Sequence, residues 1–264
     1  MQNEHLRLYN INIKYIRDLS NADDKVLSVS PQIKKEKRPW VGVIVICGKK
    51  EYCVPLSSPK PKHENMKNDK DFLRIISNDG KLIGVLNFNL MIPVNQSLIS
   101  MVDLHIYKND SQKLAAYKHL MKDQLKWCND NSDNIIKKAN KLYEFVTKTP
   151  EKSYNLTHRC CDFKKLEAVL EKWLEKEFEK CNAILAKNPT LKEKLDAATV
   201  EYNRKHNLTS FGKQLSLEER VDRRKKLLVE YPALKTEYEK AEMEFDNNLT
   251  HRQNQTSPKP KHRR

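Results

Sequence analysis

The chain of 264 residues is long enough for one ordinary domain with an appendage, or for two small domains. It contains no apolar run of about 18 residues, which excludes a membrane-spanning helix. The N-terminal residues lack the basic and apolar regions of a signal peptide, so we expect a cytoplasmic location. A formal net charge of +15 favours polyanionic partners such as RNA, DNA or an anionic membrane, and charge alone does not choose among them.

The N-terminal part of the chain carries the signals of an antiparallel sheet. β-branched and aromatic residues flank two glycine turns, at Gly48 and Gly80, which is the pattern of two hairpins. The second turn has the sequence Asn-Asp-Gly, and glycine meets its demand for a positive φ. From the runs 6–13, 40–46, 51–56, 72–76, 82–89, 90–94 and 98–104 we expect an antiparallel sheet of about five or six strands.

From Gln112 onward the spacing of apolar residues becomes helical. Two stripes of apolar residues are separated by Asn131, Ser132 and Asp133, which are residues that cap helices. A third helical stretch includes 163–174, and Asp162 stands where its N-cap is expected. The middle of the chain is therefore predicted to consist of three helices.

The C-terminal part lacks strand signals and resembles a helical extension. Thr190 and Ser216 each begin a capping box, so we expect helices to start there. An apolar seam with alternating spacings of four and three follows, and Pro232 breaks it into two helices that form a hairpin. The last residues are basic and lack apolar side chains, which predicts disorder. We therefore divide the chain into a core at 1–188, a helical extension at 189–250 and a disordered basic tail at 251–264.

Six cysteines occur without any Cys-x-x-Cys pair, so the spacing offers no tetrahedral zinc site. In a long chain without an export signal we expect reduced thiols that serve as small buried apolar residues. The histidines show no ligand spacing either. We therefore expect neither a metal nor a cofactor.

The densest polar cluster follows the first hairpin. Ser57, Ser58, Lys60, Lys62 and His63 supply hydroxyls, ammonium groups and an imidazole that can donate to phosphoryl oxygens. Three interleaved prolines keep this segment extended, so alternate side chains point the same way. The same residues also suit a solvated proline turn whose lysines only add solubility.

Two further basic clusters are candidate RNA-binding residues. Lys34, Lys37 and Arg38 precede the first hairpin, and they share one sheet edge with the serine–lysine segment if the hairpin strands pair. The second cluster is the helical run of Arg223, Arg224, Lys225 and Lys226. This run suits a solvated helix face and a grip on RNA phosphates about equally.

Several of these motifs occur in the order and spacing of one known family. The segment Pro-Leu-Ser-Ser-Pro-Lys at 55–60 is followed by Phe-Asn-Leu-Met-Ile-Pro at 88–93, by Tyr-Lys at 117–118 and by Asn-Ser at 131–132. In this the chain resembles the ToxN/AbiQ toxins, which are endoribonucleases of type III toxin–antitoxin systems with an RNA antitoxin. The resemblance covers roughly 6–170.

The resemblance implies roles for individual residues. Arg38 resembles the active-site cation of the family, Ser57 and Ser58 its hydroxyl pair, Lys60 its catalytic lysine, and His63 a histidine three residues later. It also implies a reaction without metal, in which the 2′-hydroxyl of the RNA attacks the adjacent phosphorus and leaves a 2′,3′-cyclic phosphate and a 5′-hydroxyl. Neither the residues nor the resemblance assigns the general base.

The resemblance further implies an α+β fold with a twisted, barrel-like antiparallel sheet flanked by helices, to which this chain adds an α-helical C-terminal extension. The expected partners are an antitoxin RNA of pseudoknot repeats, which the toxin processes and which inhibits it within a protein–RNA ring. Cellular and phage mRNA are the expected substrates, phage defence the outcome, and no membrane partner is expected. The alternative is a non-catalytic RNA-binding or scaffold protein whose coiled extension holds a partner.

Overall fold

The structure is a computed structural model, and it describes residues 5–27, 41–48, 50–149, 151, 154–208 and 215–256. The candidate residues Lys34, Lys37 and Arg38 lie outside the described residues. The chain divides into two compact units, 1–171 and 172–264, and the division falls inside a helix rather than at the predicted boundary after residue 188.

Seven strands and nine α-helices are described. The strands are β1 (Leu8–Ile11), β2 (Val41–Cys47), β3 (Lys50–Ser57), β4 (Phe72–Ile76), β5 (Leu82–Asn87), β6 (Ile92–Val94) and β7 (Ile99–Met101). The helices are α1 (Ile13–Ala22), α2 (Pro61–Glu64), α3 (Gln112–Asp130), α4 (Ser132–Lys148), α5 (Tyr154–Arg159), α6 (Phe163–Lys187), α7 (Pro189–Lys205), α8 (Leu217–Glu230) and α9 (Pro232–Thr256).

The first unit is built on one antiparallel sheet with the strand order β4-β5-β3-β2-β1-β7, and β6 pairs with β3 outside this path. The predicted antiparallel sheet is therefore confirmed. Its barrel-like closure is not found, because β4 and β7 stand at opposite ends of the order and do not pair with each other among the described strands. The sheet is open.

Strand β3 is the centre of the sheet, and it changes partners along its length. Residues 50–55 pair with β2, whereas Leu56 and Ser57 pair with β5. The N-terminal end of β2 contacts β3 closely at Gly42, where a Cβ would overlap the carbonyl oxygen of Val54 and lie 2.6 Å from Cys53 Sγ. Only glycine therefore permits this approach of the two strands.

A buried carboxylate ties β3 to the helices of the same unit. Glu167 of α6 accepts hydrogen bonds from the hydroxyls of Tyr52 (2.7 Å) and Tyr143 (2.8 Å) and from Lys164 Nζ (3.0 Å). Burial opposes its charge, but the three hydrogen bonds outweigh this effect and lower the pKa of Glu167. The carboxylate therefore stays ionised and holds β3 in place.

Helix α1 is absent from the prediction, which assigned 6–13 to a strand. β1 ends at Ile11, and the Asn12 side chain then accepts hydrogen bonds from the backbone N–H groups of Lys14 (2.9 Å) and Tyr15 (3.3 Å). This N-cap starts the helix. Its buried residues are Tyr15, Ile16 and Leu19, a helical spacing too short to stand out in the sequence.

The predicted helices of the first unit are confirmed in type and in most boundaries. α3 starts at Gln112 as predicted, and α4 follows Asn131. Asp162 caps α6, because its Oδ1 accepts from the backbone N–H of Lys165 at 3.0 Å. All six cysteines are free and buried, as expected.

The second unit is a helical bundle of the C-terminal half of α6 with α7, α8 and α9. Its core is formed by Cys181, Ile184, Leu185, Leu191, Leu195, Ala198, Tyr202, Leu227, Leu234, Tyr238 and Ala241. The predicted seam and the break at Pro232 are confirmed, since α8 ends at Glu230 and α9 begins at Pro232. The predicted two-helix hairpin is thus part of a larger bundle.

Two helix starts in this unit test the predicted capping boxes. Ser216 and Glu219 exchange backbone-to-side-chain hydrogen bonds of 2.8 and 3.2 Å, which confirms the second box. The first box is wrong, because α7 already starts at Pro189, a residue whose missing N–H costs nothing at that position. α9 continues to Thr256, so 251–256 of the predicted disordered tail are helical, and 257–264 lie outside the described residues.

Candidate active site

The candidate site lies where β3 leaves the sheet. Ser57 is the last residue of the strand, Ser58 and Pro59 follow it without regular structure, and Lys60 is the N-cap of the short helix α2. Lys60 has the extended dihedral angles φ −128° and ψ 154°. Pro61 then starts the helix in the position where proline is favoured.

His63 fixes the backbone of Lys60 from inside the protein. The Lys60 backbone N–H donates to His63 Nδ1 at 3.2 Å, and the His63 backbone N–H donates to the Lys60 carbonyl at 2.8 Å. The imidazole is only 5% exposed and lies against Phe72, with ring centroids 5.7 Å apart. The lysine side chain therefore projects from a backbone that is held at both of its polar groups.

The environment of His63 favours the neutral form of its ring. Burial, followed by the charges of Lys62 and Lys60, lowers its pKa from the ordinary value of 6.5. A neutral ring is also what the geometry requires, because Nδ1 accepts a hydrogen bond. The sequence analysis expects His63 to bind RNA, and the structure shows its side chain buried and hydrogen-bonded to the backbone N–H of Lys60.

The two serines differ in their surroundings. Ser57 is half-buried, and its Oγ accepts a hydrogen bond from Asn87 Nδ2 at 3.2 Å. Because this lone pair is used, the Ser57 hydroxyl hydrogen is free to donate elsewhere. Ser58, Lys60 and Lys62 are all exposed.

A cleft of about 520 Å³ opens beside Lys60. Lys60 and Glu64 line it from the loop, and Arg74 of β4 and Lys81 of the β4–β5 turn line it from the neighbouring hairpin. Arg74 Nη1 donates to the Glu64 carbonyl at 2.9 Å, while its Nε is buried without a partner. The cleft is thus lined by three basic residues and one acidic residue.

Sequence reasoning missed Arg74, Lys81 and Asn87. The sequence contains part of the information needed to find them, because the predicted hairpin 72–89 includes all three residues and Arg74 interrupts an apolar strand. What the sequence does not contain is the pairing of β5 with the end of β3, which aligns Ser57 with Val85 and brings Asn87 to the serine.

The first described strand after the N-terminal basic cluster in the sequence is β2, and it pairs with β3. β2 pairs with β3 so that Gly42 lies opposite Pro55. The predicted pairing of the two hairpin strands is confirmed. The positions of Lys34, Lys37 and Arg38 themselves lie outside the described residues.

The helical basic run is largely occupied by contacts within its own bundle. Arg223 Nη1 donates to Asn203 Oδ1 at 3.1 Å, and the Arg224 guanidinium lies 5.5 Å from the centre of the Phe178 ring. Burial lowers the pKa of Lys225. Lys226 is the exposed residue of this run, and Arg223, Arg224 and Lys225 are half-buried. The RNA-binding role of the run stays a prediction.

Within the described residues, no three His, Cys, Asp or Glu side chains come together in a way that would hold a metal ion. Nor does any helix in this part of the chain have the length and apolar character needed to cross a membrane.

The sequence model of a protein family described as "Toxin ToxN, type III toxin-antitoxin system" matches residues 7–171. Endoribonuclease ToxN of Bacillus thuringiensis subsp. kurstaki is 34% identical over 184 residues, which cover 65% of this chain and 86% of that protein. Endoribonuclease ToxN of Pectobacterium atrosepticum is 28% identical over 144 residues, which cover 53% of this chain and 81% of that protein.

Solved structures show the same likeness. A toxin of a bacterial type III system, selectively inhibited by a non-coding RNA pseudoknot, matches with a TM-score of 0.54 and 30% identity over 64% of this chain and 98% of that one. A protein of a bacterial antiviral system regulated by a processed non-coding RNA matches with a TM-score of 0.51 and 28% identity, covering 61% and 95%. AbiQ, a lactococcal anti-phage endoribonuclease, shares the fold with a TM-score of 0.55 and 23% identity, covering 65% and 99%.

Proposed function

This chain belongs to the ToxN toxin family of type III toxin–antitoxin systems and is an endoribonuclease, and we propose that it cleaves RNA through the substrate's own 2′-hydroxyl. One observation carries the proposal. Lys60 projects from a backbone that buried His63 holds at both polar groups, and it lines a cationic cleft. Such a fixed cation is suited to a phosphorus centre that gains negative charge in the transition state.

The proposed step needs no co-reactant. The 2′-oxygen forms a bond to the adjacent phosphorus, and the bond from phosphorus to the 5′-oxygen breaks. The proton of the 2′-hydroxyl leaves, and another proton is delivered to the departing 5′-oxygen. The products are a 2′,3′-cyclic phosphate and a 5′-hydroxyl, and no metal ion takes part.

Each residue has a separate task in this scheme. Lys60, together with Arg38, stabilises the charge on the equatorial phosphoryl oxygens. Ser58, which shares the side of Lys60 in an extended segment, is the main hydroxyl that orients the phosphate. Ser57, whose Oγ already accepts from Asn87, keeps its hydroxyl hydrogen as a second donor. Their positions at the end of β3 set the distance between the hydroxyls and the cation.

The cleft provides the route for the RNA backbone. Arg74 and Lys81 stand on the hairpin that faces Lys60, so a strand lying in the cleft has cations on both sides. Arg74 contributes the positive charge of its guanidinium group to this cleft. Binding to this cleft is therefore electrostatic and weakens with salt.

The comparisons also support the biological setting. An RNA pseudoknot inhibits one matched toxin, and another matched protein belongs to an antiviral system regulated by a processed non-coding RNA. By the same logic an antitoxin RNA of pseudoknot repeats occupies the site of this chain, is processed by it and assembles with it into a ring. Once it is released from the antitoxin RNA, the toxin cleaves cellular and phage mRNA, and this limits phage growth.

The test is cleavage of total RNA by the purified chain in the presence of EDTA. We expect cleavage that persists in EDTA, fragments with 2′,3′-cyclic phosphate and 5′-hydroxyl ends, and loss of cleavage in the Lys60→Ala variant. Cleavage that requires a divalent cation, or fragments with 5′-phosphate ends, contradicts the mechanism. Intact RNA with the unmodified chain favours the non-catalytic RNA-binding alternative.

A further inference from the structure

A second cleft, with a volume of about 580 Å³, lies along α4, and we refer to it as the α4 cleft. Four lysines line its rim: Lys137, Lys138 and Lys141 from one face of α4, and Lys70 from the connection between β3 and β4. Spacings of three and four residues place the three α4 lysines on the same side of the helix. The rim therefore concentrates positive charge in one place.

Most of this charge is not neutralised. Lys137 and Lys141 are exposed, and neither pairs with a carboxylate in the described part of the chain. Lys138 donates to the backbone carbonyl of Asp69, and burial lowers its pKa. The carboxylate of Asp69 is itself engaged by Arg159 at 2.9 Å. The ammonium groups of Lys137 and Lys141 can therefore bind an anion without competition from an acidic side chain of the rim.

The floor of the α4 cleft is apolar. Leu142 and Leu156 are buried beneath it, and Phe145 exposes part of its ring. Lys70 Nζ lies 5.5 Å from the centre of that ring. Phosphate alone has no apolar surface to pack on such a floor. A nucleotide has both a flat base that can stack on the Phe145 ring and a phosphate that the rim lysines can bind.

The α4 cleft is connected to the candidate active site through one short segment. Lys60 and Lys70 stand on the same connection between β3 and β4. The buried ring of His63, which holds Lys60, contacts Phe72, which is the first residue of β4. Lys138 of the rim donates to the carbonyl of Asp69 in this same segment. A ligand in the α4 cleft thus touches the segment that also carries the catalytic lysine.

We propose that the α4 cleft binds one unstacked nucleotide of an RNA strand, with the base against Phe145 and the backbone phosphates on Lys137 and Lys141. The proposal rests on the proposed function only in taking RNA as the ligand. The cleft makes no bonds in the reaction. It selects where on the RNA the protein binds, and hence which phosphate comes to Lys60.

The first test measures binding of a fluorescent, single-stranded 2′-O-methyl RNA in EDTA, since such RNA has no 2′-hydroxyl to attack its own backbone. In the full chain, the double variant Lys137→Ala, Lys141→Ala should bind about tenfold more weakly and lower the log–log salt slope by about 1.4, for two lost single-strand contacts. The matched control is Lys122→Ala, Lys126→Ala, an exposed pair of the same spacing on α3. It should change affinity by less than about twofold. Equal losses in the two double variants overturn the proposal.

The second test asks whether a base occupies the floor. A series of the same RNA, with one abasic position in each member, should show one position where loss of the base weakens binding by about tenfold. Phe145→Leu keeps an apolar side chain but removes the ring, so this position should no longer stand out. A uniform response along the series overturns the proposal, and so does a sensitive position that persists in Phe145→Leu. Displacement of the RNA by polyaspartate with the same dependence on Phe145 also overturns it, in favour of an acidic protein segment.

These results are separate from those that test the active site. Failure of the nuclease mechanism appears as cleavage that survives Lys60→Ala, and it leaves the binding measurements unchanged. Failure of the α4 cleft proposal appears as unaltered binding by the lysine and phenylalanine variants, while Lys60→Ala still abolishes cleavage. With cleavable RNA, the Lys137→Ala, Lys141→Ala variant should raise KM and leave kcat within about twofold.

Discussion

Two basic segments stand out in the sequence, and the structure treats them in opposite ways. In the segment from the end of β3 into α2, Lys60 and Lys62 are exposed, and the groups that hold the segment are backbone atoms and the buried His63. In the helical run of the second unit, Arg223 and Arg224 are half-buried, and their own guanidinium groups make the contacts. We therefore expect a basic segment to bind RNA where other atoms hold it in place and its own charged groups remain free.

The physical cause is the set of acceptors within reach. Phe178 offers a ring face to Arg224 and, at 5.8 Å, to Arg220, and Asn203 offers an amide oxygen to Arg223. Stacking on a ring removes part of the hydration of a guanidinium and fixes its orientation. In the loop after β3 the prolines and His63 fix the backbone, so Lys60 keeps its charge available.

The largest effect is expected from Lys60→Ala. Cleavage should fall by roughly a hundredfold or more, because the variant removes the fixed cation from the transition state. Folding should be unaffected, since the side chain is exposed and the hydrogen bonds to His63 use only the backbone. Initial rates with a short RNA and the circular dichroism spectrum measure the two quantities.

The control for this variant is Lys67→Ala, which removes another exposed lysine of the same β3–β4 connection. It should retain the rate within about twofold, since a single exposed charge contributes little. Unchanged cleavage by Lys60→Ala, or an equal loss in both variants, would take Lys60 out of the mechanism and make the loop a general basic surface.

The next largest effect on cleavage is expected from the serine variants, and the two serines should differ. Ser58 is exposed and stands two residues before Lys60 in an extended segment, so the two side chains point the same way. Ser58→Ala should therefore reduce kcat by about tenfold or more. Ser57→Ala should cost less, because neighbouring side chains of an extended segment point to opposite sides, so Ser57 does not share the side of Lys60. Full cleavage by Ser58→Ala together with loss in Ser57→Ala reverses this assignment.

The pH dependence tests how the loop is held. The pKa of His63 is lowered in the folded chain, so the unfolded chain binds a proton more readily. The neutral His63 ring therefore contributes its full share to the free energy of unfolding above the ordinary histidine pKa of about 6.5, and this contribution is lost as the pH falls below that value. We expect cleavage to decline on this acid side, with an apparent pKa below 6.5.

His63→Gln distinguishes positioning from proton transfer. Glutamine keeps an acceptor for the Lys60 backbone N–H but has no ring to protonate. If His63 only positions Lys60, the variant keeps a measurable rate and loses the decline on the acid side. If His63 is the general base, the rate collapses at every pH. An acid decline that is identical in the variant shows that another group causes it.

The sequence was sufficient where a local backbone demand selects the residue. Gly80 has φ +81° in the predicted Asn-Asp-Gly turn, and the hairpin that it closes is confirmed. Asp162 and Ser216 were likewise identified from their capping positions. In each of these cases the reason for the residue lies within a few positions of it.

The sequence was insufficient where the reason lies in a distant partner. Asn87 meets Ser57 only because β5 pairs with the last two residues of β3, and no local pattern encodes this change of partner. From the sequence alone His63 is expected to face the RNA, whereas the structure shows it buried against Phe72. The contacts of Arg223 and Arg224 come from other helices for the same reason.

The smallest effect is expected from the helical run, and it bears most directly on the comparison of the two basic segments. Deletion of the extension after Asn188 is a poor test, because it would expose Ile184 and Leu185, which belong to the bundle core. Point variants avoid this problem. Arg224→Ala removes the contact with Phe178 and should lower the free energy of unfolding by about 1 kcal/mol, with RNA affinity unchanged.

Lys226→Ala is the matched control, since Lys226 is the exposed member of the same run. It should change the free energy of unfolding by less than about 0.5 kcal/mol. Urea unfolding followed by circular dichroism gives the stability, and RNA affinity measured over a range of salt gives the number of phosphate contacts. If Arg224→Ala instead leaves stability intact and lowers the salt slope, Arg224 leaves Phe178 to bind RNA, and the two basic segments are alike after all. If Arg224→Ala lowers the free energy of unfolding and leaves the salt slope of RNA affinity unchanged, the helical run serves the packing of the bundle. The segment that contains Lys60 is then the one that binds RNA.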